Sequence, residues 1–263
     1  MAKETSPTRV ADGRQPLLVP LPRRDEAKGM GAIWHPDCKI WSVPIERASE
    51  MPRCYLPIRD RPGLEPPFLV INLVPQTSWG RNMRALMPKA DWHAFARSTI
   101  YALTGSVCLV CGGRGPEWPV EADEVWRYND DKGIQTLHKV VPLCPACHEV
   151  RTCGLAVANG RANQVAEHLA WVERIPKAKA KRRIDKALAK WERRSQRSWT
   201  IDMSAAERKY GIRLVHDHAL TDDVNRRLVR ESRRRAGYDD DGSISLDDAL
   251  AIMTGGYSRH FRI

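Results

Sequence analysis

An α+β fold is predicted for this chain by three observations. Two Cys-x-x-Cys pairs stand 32 residues apart. The stretch between them reads as strand, turn, strand. The segments on either side carry apolar residues at helical spacing, and one of them is strongly basic.

The pairs are Cys108-Leu-Val-Cys111 and Cys144-Pro-Ala-Cys147. A Cys-x-x-Cys turn grips one metal ion with two thiolates, and two such turns complete a tetrahedral all-sulfur zinc site. Four unligated buried thiols are the alternative, but that leaves the paired spacing without a reason. The gap is longer than in a zinc ribbon, so the segment inside it must fold and bring the chain back to its start. Val120 to Tyr128 is rich in β-branched and aromatic residues. Asn129-Asp130-Asp131-Lys132-Gly133 is a turn cluster, with Gly133 free to take positive φ. Gln135 to Leu143 is apolar again and delivers Cys144, and His148 to Thr152 reads as a short helix. Strand, turn, strand and helix above two cysteine knuckles is a ββα-metal layout.

The remaining chain divides by composition. Residues 1–15 are polar and are expected to form a disordered tail. Residues 16–60 read as a small α/β unit, with a strand at Leu17–Leu21, a short helix capped by Asp25 and, after Ala32-Ile33-Trp34 and a turn at His35–Cys38, a second strand at Lys39–Pro44. Residues 61–67 are a Pro/Gly linker. Residues 68–204 form the cysteine-containing domain. It opens with an expected strand from Phe68 to Val74 and a four-turn helix from Pro88 to Thr104, stopped by Gly105. It continues with helices over 161–173 and 178–197 and a strand at Trp199–Met203. Residues 205–263 are a basic helical extension containing Arg226, Arg227, Arg230 and Arg233 to Arg235. Asp239 to Asp248 has the outline of a calcium loop, but Gly237 stands at the first ligand position and Asp248 at the last, so an Asx-rich turn is the better reading.

The 263 residues carry 43 Lys+Arg against 32 Asp+Glu, a formal charge of +11, which favours a polyanionic partner such as nucleic acid. The helix over 178–197 is the densest basic stretch; Ile184, Leu188 and Trp191 supply one packing stripe. Lys181, Arg182, Arg183 and Lys186 are then free to meet phosphates, with Arg114 and Arg127 as further candidates. Seven cysteines leave Cys38, Cys54 and Cys153 without evident partners, which suits a reducing, cytoplasmic setting better than a disulfide scaffold. The N-terminus lacks the apolar core of a signal peptide, and no stretch approaches the ~20 apolar residues of a membrane span.

Two resemblances refine this reading. LVPLPRRDEAKGMGAIWHPDCKIWSVP resembles a small domain of unknown function found with plasmid-transfer primases; Asp25, Ala27, Lys28, Gly31, Ala32, Trp34, Pro36, Lys39, Trp41 and Pro44 carry the likeness. It implies a DNA-associated setting. Trp34 and Trp41 are expected in the core, base stacking being the alternative. Residues 72–204 resemble HNH endonuclease-like proteins. Asn72-Leu-Val-Pro75, Thr77 and Trp79 open the likeness. Cys108, Cys111 and Gly112 to Gly115, then Glu121, Glu124, Val125, Trp126 and Tyr128, continue it, and Cys144 with Cys147 to Val150 closes it.

The HNH resemblance implies a DNA endonuclease with structural zinc on the four cysteines and a second divalent ion, magnesium, manganese or zinc, held by Asp123 and His148. Glu124 stands where the catalytic histidine usually sits. A carboxylate is a weaker base than imidazole unless burial raises its pKa. Asp123 and Thr152 replace two histidines of the family, and the central Asn has no clear counterpart, Lys139 falling nearest. Two further functions fit the same residues: a zinc-stabilised nucleic-acid-binding protein that has lost cleavage, and a structural module of a mobile-element or phage assembly.

Overall fold

The computed structural model describes residues 7–212 and 214, and its architecture is mixed α and β with two small sheets. In the first sheet β1 (Arg14–Leu17) and β2 (Ile33–His35) flank β3 (Ile40–Pro44), both antiparallel to it, and α1 (Arg24–Gly29) lies between β1 and β2 in sequence. Leu17, Val19, Ala27, Ala32, Val43 and Tyr55 close its core. Asp25 sits inside the first turn of α1 rather than capping it, where its charge still favours the helix N-terminus. Trp34 and Trp41 are register partners whose rings lie 5.5 Å apart. Trp34 is 45% exposed and lies outside the core, while Trp41 is partly buried and packs against it.

Two expectations change in the first half of the chain. Residues 7–15 are not a free tail. Thr8 exchanges backbone hydrogen bonds of 2.7 and 3.0 Å with Arg114, and Val10 packs beside Leu18, Ile40 and Val107. The unpaired backbone edge after Cys111 supplies the partner that the local sequence lacks. Phe68–Val74 forms no strand. Glu173 Oε1 accepts from the Leu69 amide at 2.6 Å, and the Arg151 carbonyl accepts from the Asn72 amide at 3.0 Å. Groups from two helices therefore take up backbone that would otherwise pair with a strand.

The helix expected from Pro88 is continuous in direction but not in hydrogen bonding. α2 (Lys89–Phe95) passes into a π turn, Ala96–Ile100, and a 3₁₀ turn, Tyr101–Thr104. Gly105 ends it in the left-handed region at φ 63°.

The second sheet carries the cysteines. β4 (Glu121–Asn129) and β5 (Ile134–Leu143) form a long antiparallel hairpin, and β6 (Thr200–Asp202) adds parallel to β5. α3 (Pro145–Arg151) follows β5 directly, so strand, strand and helix stand in the expected order. α4 (Gly154–Ala158), a short helix the sequence did not announce, leads to α5 (Ala162–Glu173), α6 (Lys177–Ser195) and, after β6, α7 (Ser204–Tyr210). The hairpin separates two cores. One holds the four cysteines with Val150, Leu169, Val172 and Ile184; the other holds Met83, Trp92, Phe95, Trp126, Leu137 and Met203. Among the described residues no helix is long and apolar enough to cross a membrane. The arginine-rich segment from Arg226 and the Asp239–Asp248 loop lie outside the described residues.

Gly105 and Gly63 offer a controlled comparison. Both have positive φ, but a Cβ on Gly105 would lie 2.2 Å from the Val19 carbonyl oxygen, while one on Gly63 meets nothing within 4 Å. Gly63→Ala is expected to cost about 1 kcal/mol, from the left-handed backbone alone. Gly105→Ala adds a backbone overlap and is expected to cost at least about 3 kcal/mol. Urea denaturation of both variants checks the difference.

Candidate metal centre

Cys108 and Cys111 lie in the turn that follows Gly105; Cys144 stands between β5 and α3, and Cys147 sits in the first turn of α3. All four are buried, and their sulfur atoms lie within 4.8 Å of one another. Cys111 and Cys144 approach to 3.6 Å. A tetrahedral zinc with Zn–S bonds of about 2.3 Å places its sulfurs about 3.8 Å apart, so the cluster fits a metal such as zinc. Burial opposes ionisation of Cys108, yet hydrogen bonds from the other three thiols hold its pKa well below the ordinary value. Cys144, held by its bonds to Cys108 and Cys111, and Cys147, held by burial, move the other way. The Gly113 amide points at Cys111 Sγ (3.4 Å) and His168 Nε2 lies 3.2 Å from Cys147 Sγ. Burial pushes the His168 pKa down to about 4, so the ring is neutral and can donate one N–H to sulfur. Cys153 is buried but outside the cluster.

Beside this centre, α3 turns His148 and Arg151 toward one face of β4. Successive strand residues point to opposite faces, so Glu121 and Asp123 share that face and Glu124 does not. His148 Nδ1 lies 2.9 Å from Glu121 Oε2 and its Nε2 lies 3.6 Å from Asp123 Oδ1. Burial pulls the His148 pKa down, but the Glu121 bond and the Asp123 charge outweigh it and the net shift is upward.

Arg151 fills the space where the sequence suggested a second ion. Its Nε stands 2.5 Å from Asp123 Oδ2, a close ion pair. Its other nitrogens donate to the carbonyls of Val70 (3.1 Å) and Glu124 (3.4 Å) and to Asn72 Oδ1 (3.4 Å). Both partners are almost fully buried, with side-chain exposures of 7% and 4%. Burial pushes the Asp123 pKa up, and Arg151 and His148 oppose it.

Glu124 is on the other side of the hairpin, where its Oε1 accepts from the Met83 amide at 2.8 Å. Burial pushes its pKa up to about 7. Asp123 and His148 therefore converge, and Glu124 diverges from them. Among the described residues only the four cysteines are close enough to hold a metal by three or more ligands.

Asn72 was prominent in the sequence without an assigned role. Its Oδ1 accepts from the Trp126 amide (2.9 Å) and its Nδ2 donates to the Trp126 carbonyl (3.1 Å), so its side chain pairs like a strand residue at the β4 irregularity between Val125 and Trp126. Glu121, Arg151 and His168 were also missed. Glu121 lies two residues from Asp123, and Arg151 one helical turn beyond His148. Those spacings were a readable signal; nothing local marks His168.

The basic candidates separate. Arg114 is half-buried and donates to the carbonyls of Ser106 (2.8 Å) and Gly105 (3.4 Å). Arg183 pairs with the fully buried Glu173 at 2.5 Å. Arg127 is exposed, 3.0 Å from His138 Nε2. Lys181, Arg182 and Lys186 are exposed on α6 with no ion pair among the described residues. The chain matches no family model, no curated protein and no solved structure.

The Glu124 carboxyl carries a measurable pH signature. Its unfolded pKa is near 4.5 and its folded one about 7, so the folded state holds the extra proton between those values. The stability it contributes is full below pH 4.5 and is lost as pH rises through 7. Relative to Glu124→Gln, which titrates nothing there, the wild-type chain is expected to lose up to roughly 3 kcal/mol over that window. Paired urea titrations at several pH values read it.

Proposed function

We propose that this chain is a nucleic-acid-binding protein whose ββα unit is HNH-like in plan, fastened by zinc on Cys108, Cys111, Cys144 and Cys147, with an arginine standing where a catalytic ion would be held. The observation that carries this reading is the outer face of α6. Lys179, Arg182, Lys186 and Arg193 recur at intervals of three, four and seven residues, which at 100° per residue puts them in one stripe. All four are exposed, and none has an ion-pair partner among the described residues. The stripe runs roughly 21 Å along the axis at 1.5 Å per residue. Ile184, Leu188 and Trp191 anchor the opposite side: Ile184 and Leu188 in the cysteine core, and Trp191 through a 2.9 Å bond to the Val74 carbonyl and a stack on Trp79. The helix that bears the cations is thus held rigidly to the metal unit, and phosphate contacts suit such a row better than base contacts do.

Loss of cleavage follows from the acidic cluster. Arg151 neutralises Asp123, His148 is shared between two carboxylates, and Glu124 faces away. A second reading, a working metal-dependent endonuclease, is favoured by one observation, the 3.6 Å approach of His148 to Asp123. It requires Arg151 to leave Asp123 and a base other than Glu124.

Two experiments separate these readings. In DNA retardation across a salt series, four contacts contribute a slope of about −3.6 in log K against log[salt] on duplex and about −2.8 on single strands. Replacing Lys179, Arg182, Lys186 and Arg193 by Gln is expected to remove that part of the slope; an unchanged slope would place binding elsewhere. Plasmid incubated with manganese is expected to stay intact. Nicking that disappears in His148→Ala would establish the endonuclease instead.

A further inference from the structure

We propose that metal loading at the four-cysteine centre is what holds the N-terminal unit, residues 7–60, against the ββα unit, through Arg59, whose buried guanidinium answers the negative charge of a metal held by four thiolates. The inference rests on the zinc reading given above and extends it to the charge balance around the site.

The first knuckle is wrapped by N-terminal residues. The amides of Ile58 and Arg59 donate to the carbonyls of Leu109 (2.9 Å) and Val110 (3.2 Å). A Cβ on Gly112 would come within 2.5 Å of Pro16 and 2.8 Å of Pro57, and one on Gly113 within 2.9 Å of Pro7. Glycine is required at both positions because these rigid proline rings lie so close.

Arg59 is the residue without a local explanation. Its side chain is 10% exposed, and its Nε and Nη1 are buried with no hydrogen-bond partner. Its nearest carboxylate, Asp60, is 3.6 Å away and is already engaged by Arg174 at 2.6 Å and Gln15 at 3.2 Å. Arg9 adds a third guanidinium. It and Arg59 both sit over the Trp171 ring, at 3.5 and 3.8 Å from its centroid. Three arginines against one carboxylate leave two positive charges uncompensated. A divalent ion held by four thiolates carries two net negative charges. The Arg59 amide donates to the carbonyl of Val110, the residue next to Cys111, and the Trp171 ring beneath its guanidinium lies 5.6 Å from the tilted ring of His168, whose Nε2 is 3.2 Å from Cys147 Sγ. A buried guanidinium left unpaired is costly, so emptying the site turns an attraction into repulsion among Arg9, Arg59 and Arg174. The coupling is reciprocal: weakening Arg59 must also weaken the metal.

The test uses the full chain with zinc, under reducing conditions. Chelator competition measures zinc affinity, and hydrogen exchange follows the Ile58 and Arg59 amides with Val43 of the first sheet as reference. Chelation is expected to speed exchange at Ile58 and Arg59 at least tenfold while Val43 stays protected, and zinc to restore it. Arg59→Met is expected to retain one zinc per chain with affinity lowered about tenfold, as for other groups that support metal ligands. Arg59→Lys, which keeps the charge, is expected to recover most of that loss and guards against a packing explanation. Wild-type zinc affinity in Arg59→Met, or unchanged exchange on chelation, would overturn the proposal. A wild-type chain that binds no zinc would instead remove the metal reading itself.

Discussion

Four sulfur atoms drawn within 4.8 Å bring together two turns separated by 32 residues of intervening chain. Closing that loop requires the β4–β5 hairpin to return Cys144 to Cys111, and it sets where α3 begins. Once α3 starts at Pro145, His148 and Arg151 can only face the Glu121–Asp123 side of β4. The same closure fixes the core that receives α5 and α6. The acidic cluster and the cation stripe both inherit their positions from the sulfur cluster.

The arginines show how one residue type is divided among different tasks. Arg151 is an internal counter-ion and scaffold, linking β4, α3 and the extended segment at Val70–Asn72. Arg183 neutralises Glu173, a carboxylate with no solvent exposure. Arg114 ties together carbonyls near Gly105. Arg194 spans to Asp130 in the β4–β5 turn with two 2.7 Å bonds and stacks on Tyr128. Desolvated cations are stable only with partners; Lys179, Arg182, Lys186 and Arg193, which have no ion-pair partner among the described residues, lie on the exposed outside of α6. Net charge alone does not say which cations are engaged; the pairing pattern does.

On the proposed reading, metal-supported folding and phosphate binding complement each other. The four sulfurs sit inside the apolar core formed by Val150, Leu169, Val172 and Ile184, and a stripe of like charges repels itself unless its helix is anchored. Trp191, Leu188 and Ile184 fasten α6 to the metal-side core and to the Val74 carbonyl, so the cost of aligning four cations is met by apolar packing. Asn72 contributes to the same rigidity by completing β4 where its register slips.

Much was legible in the sequence because it depended on local chemistry. Paired cysteine spacing, a turn at Asn129–Gly133, and apolar periodicity in α5 and α6 announced the hairpin, the metal cluster and the basic helix. These signals reside in a few neighbouring residues, so they survive without knowledge of the fold. Which face of β4 each acid occupies was also readable, since alternation along a strand separates Asp123 from Glu124. What only the tertiary structure decided were the encounters between distant segments: Thr8 with Arg114, Leu69 with Glu173, Arg59 over Trp171, His168 beside Cys147, and Arg151 beside Asp123. The physical reason is that burial makes a charged group seek whichever counter-charge the packed chain brings near, and sequence separation places no limit on which residue that is.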